Sequence, residues 1–80
     1  MVIVKILGSG CPKCNRLEQT AKEAAKEAGI EAKFEHVTDM KGIMAYPITS
    51  TPALVVNEEV KSAGRLPQKS EIVAWLKAAV

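Results

Sequence analysis

Residues 2–7, Val-Ile-Val-Lys-Ile-Leu, form a nearly unbroken run of β-branched and aliphatic side chains that ends at Gly8-Ser9-Gly10. Such a run predicts a strand buried on both faces, the first and most central of its sheet. From Pro12 to Ala28 the composition changes to Ala, Glu, Lys, Leu and Gln, with Leu17, Ala21, Ala24 and Ala28 at the spacing of one helix face. Gly29 ends this helix as a C-cap. The small alanines let it lie close to a sheet as a crossover helix, while Glu18 and Lys22 pair four apart on the solvent side. Residues 31–37 then alternate, with Ala32 and Phe34 on one face and Lys33 and Glu35 on the other, as a half-exposed edge strand does. The opening third is therefore β-α-β, a unit whose strands are parallel and whose crossover is right-handed in about 98% of cases.

Further along, Asp39 caps a short helix through Ala45 that Gly42 and Pro47 keep brief. Ala53-Leu54-Val55-Val56 and the weaker strand Val60-Lys61-Ser62 make a β-hairpin around Asn57-Glu58-Glu59, a loop of about three residues. Gly64-Arg65-Leu66-Pro67 breaks the chain again, and a last helix runs from about Gln68 to Ala79, burying Ile72, Trp75, Leu76 and Ala79. The predicted order β-α-β-α-β-β-α is that of an α/β domain. No repeat, low-complexity tract or linker interrupts it, so residues 1–80 form a single domain.

The charge balance is 11 basic against 9 acidic residues, a net +2 that is too small and too interspersed for nucleic-acid or membrane-surface binding. There is no apolar run of the roughly 18 residues needed to span a bilayer. The N-terminal stretch lacks the charged leader, apolar core and cleavage site of a signal peptide, so a cytoplasmic location is expected. Both cysteines of the chain are three positions apart and would close a loop too short to stabilise much by chain entropy. Chemistry is the better use for them.

That pair stands in Gly10-Cys11-Pro12-Lys13-Cys14, directly after a strand and at the opening of a helix. Pro12 suits the first helical position, since it has no N–H to leave unpaired and its φ is already helical, which makes Cys11 the cap residue. There the free backbone N–H groups and the macrodipole favour a thiolate, and the charge of Lys13 adds to them. Cys11 is thus the expected nucleophile. Cys14, one turn on and more enclosed, is the expected resolving thiol: Cys11 attacks a disulfide, a mixed disulfide forms, and Cys14 releases the reduced product. No metal or other cofactor is required.

A C-x-x-C pair is also half of a zinc site, so a metal-binding or metal-carrier module, within one chain or across a dimer, is the alternative function. Zinc takes four ligands as a rule, and besides the pair only His36 is available, on an edge strand where solvated surface is the expectation. Metal carriers of this length usually run β-α-β-β-α-β and place a Met shortly before the first cysteine, where this chain has Gly8-Ser9-Gly10. Trp75 and Ile72 read as core. Tyr46 either borders the thiol site or simply packs, and Lys5 extends its stem along the protein with its ammonium in water.

Taken together, Gly10-Cys11-Pro12-Lys13-Cys14, Ser50-Thr51-Pro52-Ala53-Leu54 before the hairpin, and Gly64 followed by Pro67 before the last helix resemble the thioredoxin/glutaredoxin superfamily, above all its short prokaryotic glutaredoxin-like thioredoxins. The resemblance spans the whole chain. It implies a four-stranded mixed sheet of order 2-1-3-4 flanked by helices, with the first and third helices expected on opposite sides. It also implies a cis bond before Pro52 and a backbone platform at Thr51 and Pro52 that binds an extended substrate segment like an added strand. The implied activity is protein disulfide oxidoreduction by a monomer, with protein disulfides as partners and a reductase or low-molecular-weight thiol as electron donor. Gly10 stands where thioredoxins carry Trp, and Ala63-Gly64-Arg65 does not reproduce the glutathione-holding Gly-Gly-x-Asp element of glutaredoxins. No acid falls beneath the cysteines, which leaves proton transfer to water.

Overall fold

The computed structural model describes residues 2–8, 12–48 and 50–79. Its elements are β1 (Val2–Leu7), α1 (Pro12–Ala28), β2 (Ala32–Val37), α2 (Met40–Met44), β3 (Ala53–Val56), β4 (Glu59–Ala63) and α3 (Lys69–Ala78). They form one four-stranded sheet in the order β2-β1-β3-β4. β1 runs parallel to β2, with Val4 opposite Phe34, and antiparallel to β3, with Ile6 opposite Leu54. Both predicted features of the sheet, its mixed character and its order, are present.

The two faces of the sheet follow from the alternation of side chains along each strand. Val2, Val4 and Ile6 of β1 and Leu54 and Val56 of β3 point to one face. There they form a single core with Leu17, Ala21, Ala24 and Ala25 of α1 and Ile72 and Leu76 of α3. Leu7, Ala53 and Val55 point to the other face and pack against Ile43 of α2. The expectation that the first and third helices lie on opposite sides is therefore wrong: α1 and α3 share a face, and the short α2 covers the other. The physical reason is where large apolar area is available. On the first face β1 and β3 present Val2, Val4, Ile6, Leu54 and Val56, enough apolar surface to bury two long helices, whereas on the second they present Lys5 and the small Ala53 beside Leu7 and Val55.

Local chemistry sets the boundaries. Gly29 takes φ +68°, its N–H donates to the Lys26 carbonyl, and the Ile30 N–H donates to the Ala25 carbonyl. This is a Schellman ending, in which the left-handed residue is cheapest as glycine. Ala25, not Ala28, completes the buried stripe of α1, because Ala28 lies in that final turn and is half-exposed. The Asp39 side chain caps α2 by accepting from the Gly42 N–H at 2.9 Å. At the start of α3 the Glu71 carboxylate accepts from the Gln68 N–H at 3.2 Å.

The hairpin loop is shorter than the three residues expected. It consists of Asn57 and Glu58, both at positive φ (49° and 67°), and Glu59 already belongs to β4. Two-residue turns of this kind match the right-handed twist of their strands, which a longer loop relaxes. Asn57 also ties the turn to β1: its N–H donates to the Ile3 carbonyl at 2.8 Å, and its Oδ1 accepts from the Ile3 N–H at 2.9 Å.

Leu76 is fully buried between α3, α1 and the sheet, whereas Met44 is 74% exposed. We expect Leu76→Ala to cost about 2–5 kcal/mol and Met44→Ala less than about 0.5 kcal/mol, read as the shift in urea midpoint at constant slope. Equal midpoints for the two variants would contradict the core described here.

Candidate active site at the start of the first helix

Three segments converge beside the first turn of α1. Cys14 is fully buried there, the innermost of the residues that open the helix. Gly8, just past the end of β1, is buried directly against it, and a Cβ on Gly8 would collide with the Cys14 sulfur. The same Cβ would stand 3.9 Å from Cα of Pro52. Gly8 thus sits between the thiol and the turn that leads into β3, at a spacing only a residue without a side chain permits. Its N–H donates to the Val37 carbonyl at 2.9 Å, which extends the β1–β2 ladder up to the site.

The Thr51–Pro52 peptide bond is cis. Pro52 is buried and Thr51 exposed. The Pro52 carbonyl accepts from the Gly64 N–H at 2.9 Å. Gly64 itself has φ +77°, and a Cβ on it would collide with the Ser50 hydroxyl. The proline turn and the segment before α3 are in this way held together by main-chain contact. Pro12 and Lys13 are exposed at the helix start. Cys11, Gly10 and Ser9 lie outside the described residues, so the structure brings together Cys14, Pro52 and Gly8 of this site and does not extend to Cys11.

Gly8 is the site residue that sequence reasoning missed, having treated it only as a strand terminator. The available signal was its place, immediately after the central strand and within one loop of a helix that carries a cysteine in its first turn. Among the described residues no group of three or more His, Cys, Asp or Glu side chains could hold a metal ion. Nor is any helix among them long and apolar enough to cross a membrane.

Other residues singled out from the sequence occupy different surroundings. His36 is not solvated surface: it is half-buried, its Nδ1 lies 3.5 Å from Oε1 of Glu18, and its Nε2 is buried without a hydrogen-bond partner. The cause is parity, since His36 pairs with Ile6 and so faces the side of the sheet that α1 covers. Glu18 and Lys22 form the predicted pair at 3.7 Å. Tyr46 packs on the opposite face, around Leu7, Ile43, Ala53 and Val55. Its hydroxyl accepts from Nζ of Lys5 at 3.0 Å and donates to the Glu58 carboxylate at 3.2 Å. The Lys5 ammonium is accordingly held at 2.6 Å from Glu58, where solvent alone was expected. Hydrogen bonding to Glu58, and then to Tyr46, raises the Lys5 pKa above the usual lysine range. The same bond to Lys5 holds Glu58 below the usual glutamate range.

A family model described as a thioredoxin domain matches residues 2–77. The chain is 43% identical over 72 residues to a thioredoxin of Methanothermobacter thermautotrophicus, covering 90% of this chain and 94% of that protein. It is 36% identical over 78 residues to a thioredoxin of Methanocaldococcus jannaschii, covering 98% and 90%. Among solved structures, a malarial protein superposes with a TM-score of 0.72 at 15% identity over 100% of this chain and 98% of its own. The germline-specific thioredoxin Deadhead of Drosophila melanogaster superposes with a TM-score of 0.69 at 16% identity, over 99% and 81%. At those identities the two structures bear on the fold alone.

Two outcomes follow from this geometry. Gly8→Ala forces Cys14 out of its position or pushes α1 from the sheet, so it is expected to destabilise by about 1–3 kcal/mol and to change the rate at which Cys14 is alkylated. An alkylation rate and urea midpoint equal to the parent's would show that the close contact is immaterial. The second concerns pH. Because the Glu58 pKa is lowered, the stability it contributes is present above the ordinary glutamate pKa and is lost as pH falls through the folded value; because that of Lys5 is raised, its contribution persists until pH rises through the folded lysine value. Glu58→Gln should therefore flatten the decline in stability as pH falls through and below the ordinary glutamate range, measured by urea unfolding at each pH, and an unchanged acid limb would remove Glu58 from it.

Proposed function

Because the chain belongs to the thioredoxin family, a family of thiol–disulfide oxidoreductases, we propose that it exchanges two electrons with protein disulfides through a Cys11–Cys14 dithiol/disulfide. The observation that carries this reading is the burial of Cys14 against Gly8, which in turn adjoins the Pro52 turn; Cys14 is three positions after Cys11 in the sequence. A sulfur so enclosed is inaccessible to a bulky substrate and serves best to resolve a bond formed by its neighbour.

The steps balance as follows. The Cys11 thiolate attacks one substrate sulfur; a new S–S bond forms as the substrate S–S bond breaks, and the departing thiolate takes a proton from water. Cys14 gives up its proton to water and attacks the Cys11 sulfur. The Cys11–Cys14 bond closes, and the second substrate sulfur leaves and is protonated. Protein dithiol and substrate disulfide become protein disulfide and substrate dithiol, and a reductase or low-molecular-weight thiol returns the pair to its starting state.

Pro12 and Lys13 tune the first step. Pro12 starts α1 without an N–H of its own, which leaves the helix end free to stabilise the Cys11 thiolate, and Lys13 contributes a positive charge beside it. Thr51 and Pro52 act as the substrate platform, the main chain of Thr51, an exposed residue, pairing with an extended segment so that its disulfide meets Cys11. The chain works as a monomer in a reducing cytoplasm, where such a pair cycles between its two states.

To test this, Cys14→Ser is reduced and incubated with a disulfide-containing protein. Stable mixed disulfides through Cys11 are expected, none with Cys11→Ser, and turnover with neither variant. Trapping by Cys11→Ser alone would exchange the two roles, and turnover by both variants would remove the dithiol mechanism.

A further inference from the structure

Beside the first two turns of α1 lies a shallow groove of about 280 Å³ lined by Pro12, Lys13, Arg16 and Leu66. Its walls are of two kinds. Pro12 and Leu66 supply apolar surface, and Leu66 is anchored by packing against the core shared by α1 and α3. Lys13 and Arg16 supply positive charge, and among the described residues none that lines the groove is acidic.

Those two charges differ from their neighbours in one respect. Arg65, next to Leu66 in sequence, is held at 2.9 Å by Glu71, and Lys69 of α3 is held at 2.9 Å by Glu27. Lys13 and Arg16 form no ion pair among the described residues and are exposed. Of the cations around the groove, Arg65 and Lys69 are thus held within the protein, whereas Lys13 and Arg16 remain available to a charged partner, as do Lys26, Lys33, Lys41 and Lys77 elsewhere on the described surface. Pro12 follows Cys11 directly in the chain, so the groove begins one residue along the sequence from the proposed nucleophile.

We infer that this groove selects the substrate: it receives an acidic segment flanking the target disulfide, with carboxylates on Lys13 and Arg16 and an apolar side chain between Pro12 and Leu66. The inference rests on the disulfide-exchange reading and adds to it the chemical class of partner. Lys13 would then act on both the thiolate and the substrate, while Arg16, a turn further along α1, acts on the substrate alone. An exposed ion pair is modest in water and screened by salt, so the selectivity is one of rate at low ionic strength.

The test uses three peptides with one intramolecular disulfide and identical sequences except for the residues flanking one cysteine: Asp-Asp, Asn-Asn or Lys-Lys. Reduction by the dithiol form of the full chain is followed under single-turnover conditions at about 20 mM and 500 mM salt. The expected result is a rate constant per peptide concentration roughly three- to thirtyfold higher for Asp-Asp than for Lys-Lys at low salt, converging at high salt. Arg16→Gln should reduce that ratio and Arg16→Glu, which leaves the groove with no net charge, should bring it close to one, each rate being referred to the Asn-Asn peptide of the same variant. Reduction of all three peptides at equal rates would overturn the acidic-substrate inference and leave disulfide exchange standing. A preference that persists in Arg16→Glu would likewise remove the groove from substrate choice. Failure to reduce any of the peptides would instead bring down the disulfide-exchange reading and this inference with it.

Discussion

The close approach of Gly8 to Cys14 and Pro52 is the constraint on which the site depends. A strand end, a helix start and a proline turn meet there at distances that leave no room for a side chain on the strand. That crowding buries the sulfur of Cys14 completely, and burial gives it a different exposure from a residue at the helix mouth. Interior packing at this density transmits displacement, so the position of α1 over the sheet and the place of the thiol are one structural fact.

The rest of the fold serves to hold that junction. The branched side chains of β1 and β3 form a floor on which both α1 and α3 rest, and the alanines of α1 bring its axis close to that floor. On the far side the short α2 and the Lys5–Tyr46–Glu58 contact cover the narrower face. The Asn57–Ile3 hydrogen bonds brace the hairpin against the first strand. Since the proline turn leads directly into β3, whatever holds the hairpin in register also holds Pro52 opposite the cysteine.

Much of this was readable from residue order. The boundaries of β1, α1 and β3 follow from abrupt changes in composition at Gly8, Pro12 and Pro52, and the helix ending at Gly29 follows from the need for a left-handed residue. The cysteine spacing and its place between strand and helix point to the site. Less was readable where the outcome depends on partners distant in sequence. The environment of His36 turned on whether an even-numbered position of the edge strand faces α1. Lys5 looked like a solvent-directed lysine because Tyr46 and Glu58, its partners, belong to other elements.

Periodicity and punctuation along the chain thus sufficed for the elements, their order and the candidate thiols, because helix and strand formation, capping and thiol activation are short-range matters of backbone geometry and nearby charge. Tertiary packing alone settled that α1 and α3 share a face, that Gly8 must lack a side chain and that Lys13 and Arg16 line one groove with Leu66. Each of these depends on which surfaces compete to be buried, a property of the assembled sheet and helices that no local stretch contains.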